Sequence, residues 1–205
     1  IDTSGAPMRL FRSDFLEFFT HVHPAAVLAI WAPATVAFLV VAVVNRPAGA
    51  WVHIPLGFLA GLFIWTFAEY TLHRFLFHMP PRTPAQERIS FLFHGIHHAQ
   101  PMVKTRLVMP PAVSLPLAAL FYGLFWVVLA RLLPAAHWLA PTFAGFIAGY
   151  LAYDMLHYTS HHFPFKSRYL KFVKRYHMNH HFKTPNARFG VSSPLWDRVF
   201  GTYPE

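Results

Sequence analysis

No cysteine occurs in the 205 residues. Disulfides, thiolate metal sites and iron–sulfur clusters are therefore excluded, and cysteine usage says nothing of the redox compartment. Charge is also scarce, at 12% of residues, where a soluble domain carries roughly 25%. Acids are the scarcer sign: eight Asp and Glu stand against seventeen Lys and Arg, for a formal charge of +9. Such a balance can signal nucleic acid, but few basic residues interleave with a polar face. Anionic lipid headgroups are the expected partner, and nucleic acid is not. What replaces the missing charge is apolar: 55% of the chain is hydrophobic.

The apolar residues fall in long runs. Pro24 to Val44 has no charge over twenty-one residues, about what a ~30 Å hydrocarbon core requires. Asn45-Arg-Pro-Ala-Gly49 reads as a turn. A second span runs from about His53 to Tyr70, with Glu69 as its one charge. A third runs from Pro110 to Ala130, and a fourth from about Trp138 to Leu156 with Asp154 near its end. Before them, Met8 to Phe19 reads as an amphipathic helix in the membrane interface, with Leu10, Phe11, Phe15, Phe18 and Phe19 at helical spacing. Its four charges argue against a cleavable signal peptide. The first residue is Ile1 rather than Met, as expected of a trimmed or processed chain.

Charge sets the expected orientation. Fifteen of seventeen Lys and Arg lie before the first span, between the second and third, or after the fourth; only Arg46 and Arg131 lie in the two short turns. The positive-inside rule puts the fifteen in the cytoplasm. The expected fold is all-α: an integral membrane protein with four transmembrane helices in two hairpins and a cytoplasmic-facing helical cap. Its parts are an interfacial N-terminal segment (1–23), the four spans (24–156) and a cytoplasmic C-terminal region (157–205). A soluble all-helical protein is the competing reading, which four charge-free runs oppose.

Eleven of fifteen histidines fall in four clusters at or beyond the ends of the apolar segments: His73 and His78; His94, His97 and His98; His157, His161 and His162; His177, His180 and His181. Imidazole is the commonest metal ligand among side chains. Helical residues three and four apart share a face, so each HxxHH is expected to aim its rings at one point. His73 and His78, five apart, suit two different ions or a frayed helix end. Ten imidazoles exceed the needs of a structural zinc and suit two ions held by about five nitrogens each. His21, His23, His53 and His137 stand outside and read as interfacial. Glu69 and Asp154 each sit a helical turn before a histidine. They are expected to accept the second N–H of metal-bound rings, or else to neutralise a nearby arginine such as Arg74.

The boxes His73-x4-His78, His94-x2-His97-His98, His157-x3-His161 and His177-x2-His180-His181, after paired hydrophobic hairpins, resemble the fatty acid hydroxylase/sterol desaturase superfamily. Phe189-Gly-Val-Ser-Ser-Pro-Leu-Trp-Asp-Arg-Val-Phe-Gly201-Thr and Tyr153-Asp154-Met-Leu-His157-Tyr158 narrow it to the fatty acid 2-hydroxylase branch, over about Phe58 to Thr202. The resemblance implies one membrane-embedded hydroxylase domain, with all ten boxed histidines as metal ligands and no role carried onto His162. It implies a di-iron monooxygenase that hydroxylates C2 of a fatty acyl chain, free or in a sphingolipid or ceramide, using O2 and two electrons. Zinc can occupy such a site in purified protein. Members of the branch often carry a fused cytochrome b5 domain, and no haem-binding segment fits the short N-terminus, so the expected donor is a separate cytochrome b5 or ferredoxin. That absence, the short loops and the Ala-rich spans point to a bacterial inner membrane, or to the endoplasmic reticulum for a eukaryotic source.

Phe75, Phe77, Phe91 and Phe93 interleave with the boxes and are candidates to line an acyl channel, or plain core. Lys104, Arg106, Lys171, Lys174 and Arg175 are candidates to meet headgroups or an acidic electron donor. Three alternatives stay open: a sterol or carotenoid hydroxylase or desaturase of the same superfamily, a membrane metal transporter or metal-storage protein, and a structural zinc scaffold.

Overall fold

The computed structural model describes residues 1–204. Among them all regular structure is helical, with no strand. The chain divides into two compact units. One holds residues 1–23, 66–108 and the chain from Tyr153 onward; the other holds residues 24–65 and 109–152.

The second unit is the apolar one. It contains α2 (Pro24–Val44), most of α3 (His53–Thr71), α6 (Pro111–Trp126) and the first half of α7 (Leu139–His162). A π-helical stretch, Val127–Leu132, extends α6. Helices suit such runs because every backbone N–H and C=O is satisfied within the segment. Large apolar side chains remain bare on this unit, among them Val36, Val44, Leu59, Phe63, Leu120 and Leu132. Arg46 stacks over Trp51 at 3.6 Å and Arg131 over Trp126 at 4.7 Å. A cation on an amphipathic ring at the end of an apolar helix is the arrangement favoured at a membrane–water interface.

Three helical stretches are long and apolar enough to cross a membrane: Pro24–Val44, His53–Phe77 and Lys104–Leu132. The fourth expected span, α7, is not among them. Its 24 residues reach about 36 Å at the usual helical rise, but it carries glycines and polar groups in place of lipid-facing leucines. The reason lies in its packing: Phe143, Ala144, Phe146, Ile147 and Tyr150 are all buried.

Close contact of α3 with α7 depends on glycine. A Cβ on Gly145 would lie 1.9 Å from the Phe58 carbonyl oxygen, and one on Gly61 1.9 Å from that of Thr142. Small residues let two backbones touch where lipid offers no hydrophobic drive for association. Gly145→Ala is expected to cost about 1–3 kcal/mol in denaturant unfolding in detergent. Gly123→Ala, with nothing within 4 Å of the added carbon, should cost nothing.

The first unit carries the histidines. Its helices are α1 (Asp14–Phe18), α4 (Pro84–Ser90), α5 (Ile96–Ala99), the end of α7, α8 (Arg168–Phe182) and α9 (Leu195–Val199). Pro84 opens α4 behind Thr83, whose hydroxyl accepts the Gln86 N–H, a pre-organised helix start. Two π-helical stretches, Leu72–Phe77 and Phe91–Gly95, continue α3 and α4. The expected helix from Met8 to Phe19 is shorter: only Asp14–Phe18 is helical, capped by Ser13. The chain before it folds back because the Glu17 carboxylate accepts the N–H groups of Leu10 and Phe11 at 2.9 and 2.8 Å.

Candidate metal centre

All ten boxed histidines lie in the first unit and gather in two groups of five. His73, His78, His94, His98 and His180 form one; His97, His157, His161, His177 and His181 form the other. Within each group one nitrogen from every ring lies within 4.8 Å of the rest. The groups adjoin, since the His98 ring stacks on His181 with centroids 4.1 Å apart.

The local helix type explains the membership. Residues five apart face the same way when the hydrogen bonds run to the fifth residue, as in a π-helix. Leu72–Phe77 is such a stretch, and His78 N–H donates to the His73 carbonyl at 3.0 Å. His73 and His78 therefore serve one group, which corrects the expectation of two different ions or a frayed end. Each HxxHH also behaves differently from expectation. His94 and His98 face one group while His97 faces the other, and His177 and His181 face one while His180 faces the other. A residue at i+3 lies about 60° to one side of position i, and one at i+4 about 40° to the other, at 3.6 residues per turn. The triplet thus spans about 100°, enough to feed two points. Each group is one box pair, one i,i+4 pair and one histidine that crosses over.

Several imidazoles are locked by backbone carbonyls. Nδ1 of His73 donates to Phe189 O (2.5 Å), Nδ1 of His157 to Leu107 O (3.0 Å) and Nδ1 of His180 to Ala187 O (2.7 Å). A ring that donates through Nδ1 presents a lone pair at Nε2. Those Nε2 atoms face other ring nitrogens: His73 to His94 at 3.0 Å, His180 to His78 at 3.1 Å, and His157 to His97 at 2.8 Å. Opposed lone pairs at this separation call for a cation. Two nitrogens ~2.1 Å from a common ion and at right angles would be about 3.0 Å apart, so the residues present fit a metal in each group.

Electrostatics agree. Burial first, then the neighbouring imidazoles, lower His78 to about 3 and His98 to about 2. Burial lowers His180 to about 4 although its bond to Ala187 O opposes the shift. His94, His97 and His177 are held well below 6.5 for the same first cause. All are neutral at pH 7, the form that ligates. In the metal-free protein the unfolded chain gains protons near 6.5 while these rings resist until about 4, 3 and 2. The unfolded state then binds more protons, so stability is full above pH 6.5 and falls as the pH drops through that window. Thermal unfolding of chelated protein in detergent should show a midpoint that declines from pH 7 to pH 4. A midpoint unchanged over that range would contradict the burial described.

The remaining sequence candidates sort as follows. Glu69 is buried and accepts the N–H groups of Val191 and Ser192 at 2.6 and 2.7 Å and the Ser192 hydroxyl at 2.5 Å. Asp154 is buried on α7. His162 lies outside both groups, its ring 5.0 Å from that of Tyr158. His21 Nε2 lies 3.0 Å from an Arg106 nitrogen. His53 is buried, its ring 5.2 Å from that of His137. Of the four phenylalanines that interleave with the boxes only Phe77 is buried, stacked on His94 with centroids 5.3 Å apart, whereas Phe75, Phe91 and Phe93 are exposed. Arg106 is no surface cation: its side chain is 3% exposed and bonds Glu17 at 2.6 Å. Sequence reasoning passed over the carbonyls of Leu107, Ala187 and Phe189, which lie in irregular chain and leave no mark on side-chain pattern.

The chain matches known proteins along nearly its whole length. The fatty acid hydroxylase family profile matches residues 58–202. A dihydroceramide fatty acyl 2-hydroxylase of Arabidopsis thaliana is 38% identical over 204 residues, covering 100% of this chain and 83% of that protein. A ceramide very long chain fatty acid hydroxylase of Saccharomyces cerevisiae is 40% identical, covering 93% of this chain, and human fatty acid 2-hydroxylase is 35% identical, covering 96%. This chain spans 48% and 56% of those two proteins, about half their length. The solved hydroxylase domain of scs7p superposes with a TM-score of 0.85 at 38% identity, covering 94% of this chain and 70% of that one. By its motifs, its fold and its relatives, this chain belongs to the fatty acid hydroxylase family.

Proposed function

We propose that this protein is a membrane monooxygenase that hydroxylates C2 of a fatty acyl chain, free or carried on a ceramide. The observation that carries the reading is the pair of adjoining five-imidazole groups, in a chain whose relatives bear the name of 2-hydroxylases. The ten boxed histidines hold two ions, iron in the working enzyme. The apolar unit, with α7 as the fourth span, is the membrane part of one hydroxylase domain, and the histidine unit faces the cytoplasm. The charge asymmetry of the sequence and the Arg–Trp stacks at Arg46 and Arg131 support that orientation.

Two bound iron ions supply the O2-dependent oxidising chemistry that no side chain provides. One oxygen atom enters the C–H bond and the other leaves as water, with two electrons and two protons from outside. The chain's own residues hold, orient and shield. The imidazoles present lone pairs, and the carbonyls of Leu107, Ala187 and Phe189 fix three ring planes. Phe77 and Phe189 close over the first group, with the Phe189 centroid 5.5 Å from that of His78. Lys171 and Arg175 on α8 offer cationic contacts to an acidic donor of the cytochrome b5 or ferredoxin type.

The test is isotopic. Membranes containing the protein, a donor system and 18O2 are expected to yield 2-hydroxy acyl lipid carrying one 18O. Turnover of a sterol or carotenoid without any 2-hydroxy acyl product would overturn the substrate assignment.

A further inference from the structure

A buried acid in the C-terminal run bears on the metal groups through the backbone. Asp197 lies in the first turn of α9 and is fully buried, within the Phe189–Thr202 run. Its Oδ1 accepts the Phe189 N–H at 2.8 Å and the Thr202 hydroxyl at 2.7 Å, and its Oδ2 accepts the Gly190 N–H at 2.7 Å. The approach requires glycine: a Cβ on Gly190 would lie 3.0 Å from Asp197 Oδ2 and 2.1 Å from the Ser193 carbonyl oxygen. Arg188 enters the same turn with φ of 62° and donates its N–H to Thr202 O at 3.0 Å. Glu69 seizes the next two residues, Val191 and Ser192. Two buried carboxylates therefore clamp four consecutive N–H groups of one strap.

The strap's carbonyls do the orienting. Ala187 O and Phe189 O receive Nδ1 of His180 and His73, both in the first group. The second group has no such support from the strap. Among the described residues His157 there meets Leu107 O, while Nδ1 of His97, His177 and His181 is buried without a hydrogen-bond partner. Ligating imidazoles gain basicity and a fixed plane from a carbonyl at the far nitrogen. The two groups are thus unequally prepared.

We propose that Asp197 is a positioning residue for one metal only, that of His73, His78, His94, His98 and His180, acting through the strap 187–192, and that the two ions are held with different affinities. The inference rests on the reading of the groups as metal sites.

Zinc titration of the metal-free full chain in detergent, against a chromophoric chelator, tests it. Wild type is expected to bind two ions of unequal affinity; failure to bind any would sink the metal reading itself. Asp197→Asn keeps the shape but leaves one acceptor where two stood. In a His161→Ala background, where the strong site left is the first group, it should weaken zinc by about 10–100-fold. In a His78→Ala background, where the second group is left, it should change zinc affinity by less than about twofold. Ser192→Ala removes only the hydroxyl bond to Glu69 and is run beside it as the milder variant, with the same asymmetry at smaller size. A general structural role would weaken both backgrounds alike. Equal weakening in both, or no weakening in either, would overturn the proposal.

Discussion

His97→Ala is expected to release one of the two ions and to abolish 2-hydroxy product, with at least a ~100-fold loss. Removing a mere supporting partner of a ligand already costs about 10–100-fold, and His97 is placed as a ligand. It is also the one residue of its box that serves the second group, so no neighbour can replace it. His97 Nε2 lies 2.8 Å from that of His157 and 3.0 Å from that of His181. Both contacts vanish with the ring, which is buried among the others. His180→Ala should do the same to the first group, where His180 Nε2 meets His78 and His98 at 3.1 and 3.2 Å. His162→Ala is the control. It lies outside both groups and should retain two ions and most of the product. A His97→Ala protein with two ions and normal turnover would refute the grouping.

Arg106→Met is expected to destabilise the histidine unit by about 1–3 kcal/mol, the usual cost of leaving the partners of a buried hydrogen-bonding group unpaired. The guanidinium holds the N-terminal segment from several sides. It donates to Met8 O at 2.6 Å, to Glu17 Oε1 at 2.6 Å and to the Thr20 hydroxyl at 3.2 Å. Burial raises the Glu17 carboxyl, but the N–H groups of Phe11 and Leu10 and the Arg106 charge outweigh it and hold the group below its ordinary value. Without Arg106 the half-buried Glu17 carboxylate loses its guanidinium partner. The segment is also tied at Gln100, whose amide donates to Asp2 at 2.8 Å and to Ala6 O at 2.9 Å. Loss of the pair should expose residues 1–22 to limited proteolysis. The effect should reach the metals, because Leu107, next in the chain, supplies the carbonyl for His157. Arg106→Lys should rescue little, since an ammonium cannot reproduce the fork. Unchanged stability and protease resistance in Arg106→Met would rule out this anchoring.

Much of the chain was legible from charge and period. Twenty-one residues without charge made α2 plain, and the clustering of histidines beyond apolar runs picked out eleven, of which ten come together and His162 does not. The sequence reads α7 as a fourth span, but it is less apolar than the other three, because Thr142, Gly145 and Tyr150 are packed against protein. The division of the ten was harder. Facing rules for i, i+3 and i+4 send a whole HxxHH to one point only if 100° of arc is ignored. The π-helical stretch at Leu72–Phe77, which brings His73 and His78 together, follows from no residue propensity. The irregular chain around Ala187 and Phe189 works through its carbonyls, and a carbonyl has no letter in the sequence. Asp197 did have one. A lone acid in an apolar C-terminal run, seven residues after Gly190, was the signal available.

The most direct test of the account is the metal-to-chain ratio of the purified protein, measured by inductively coupled plasma mass spectrometry beside His97→Ala and His180→Ala. Two ions per wild-type chain and one in each variant is the result expected of two five-histidine sites. One ion or none in wild type, or two in both variants, would contradict it.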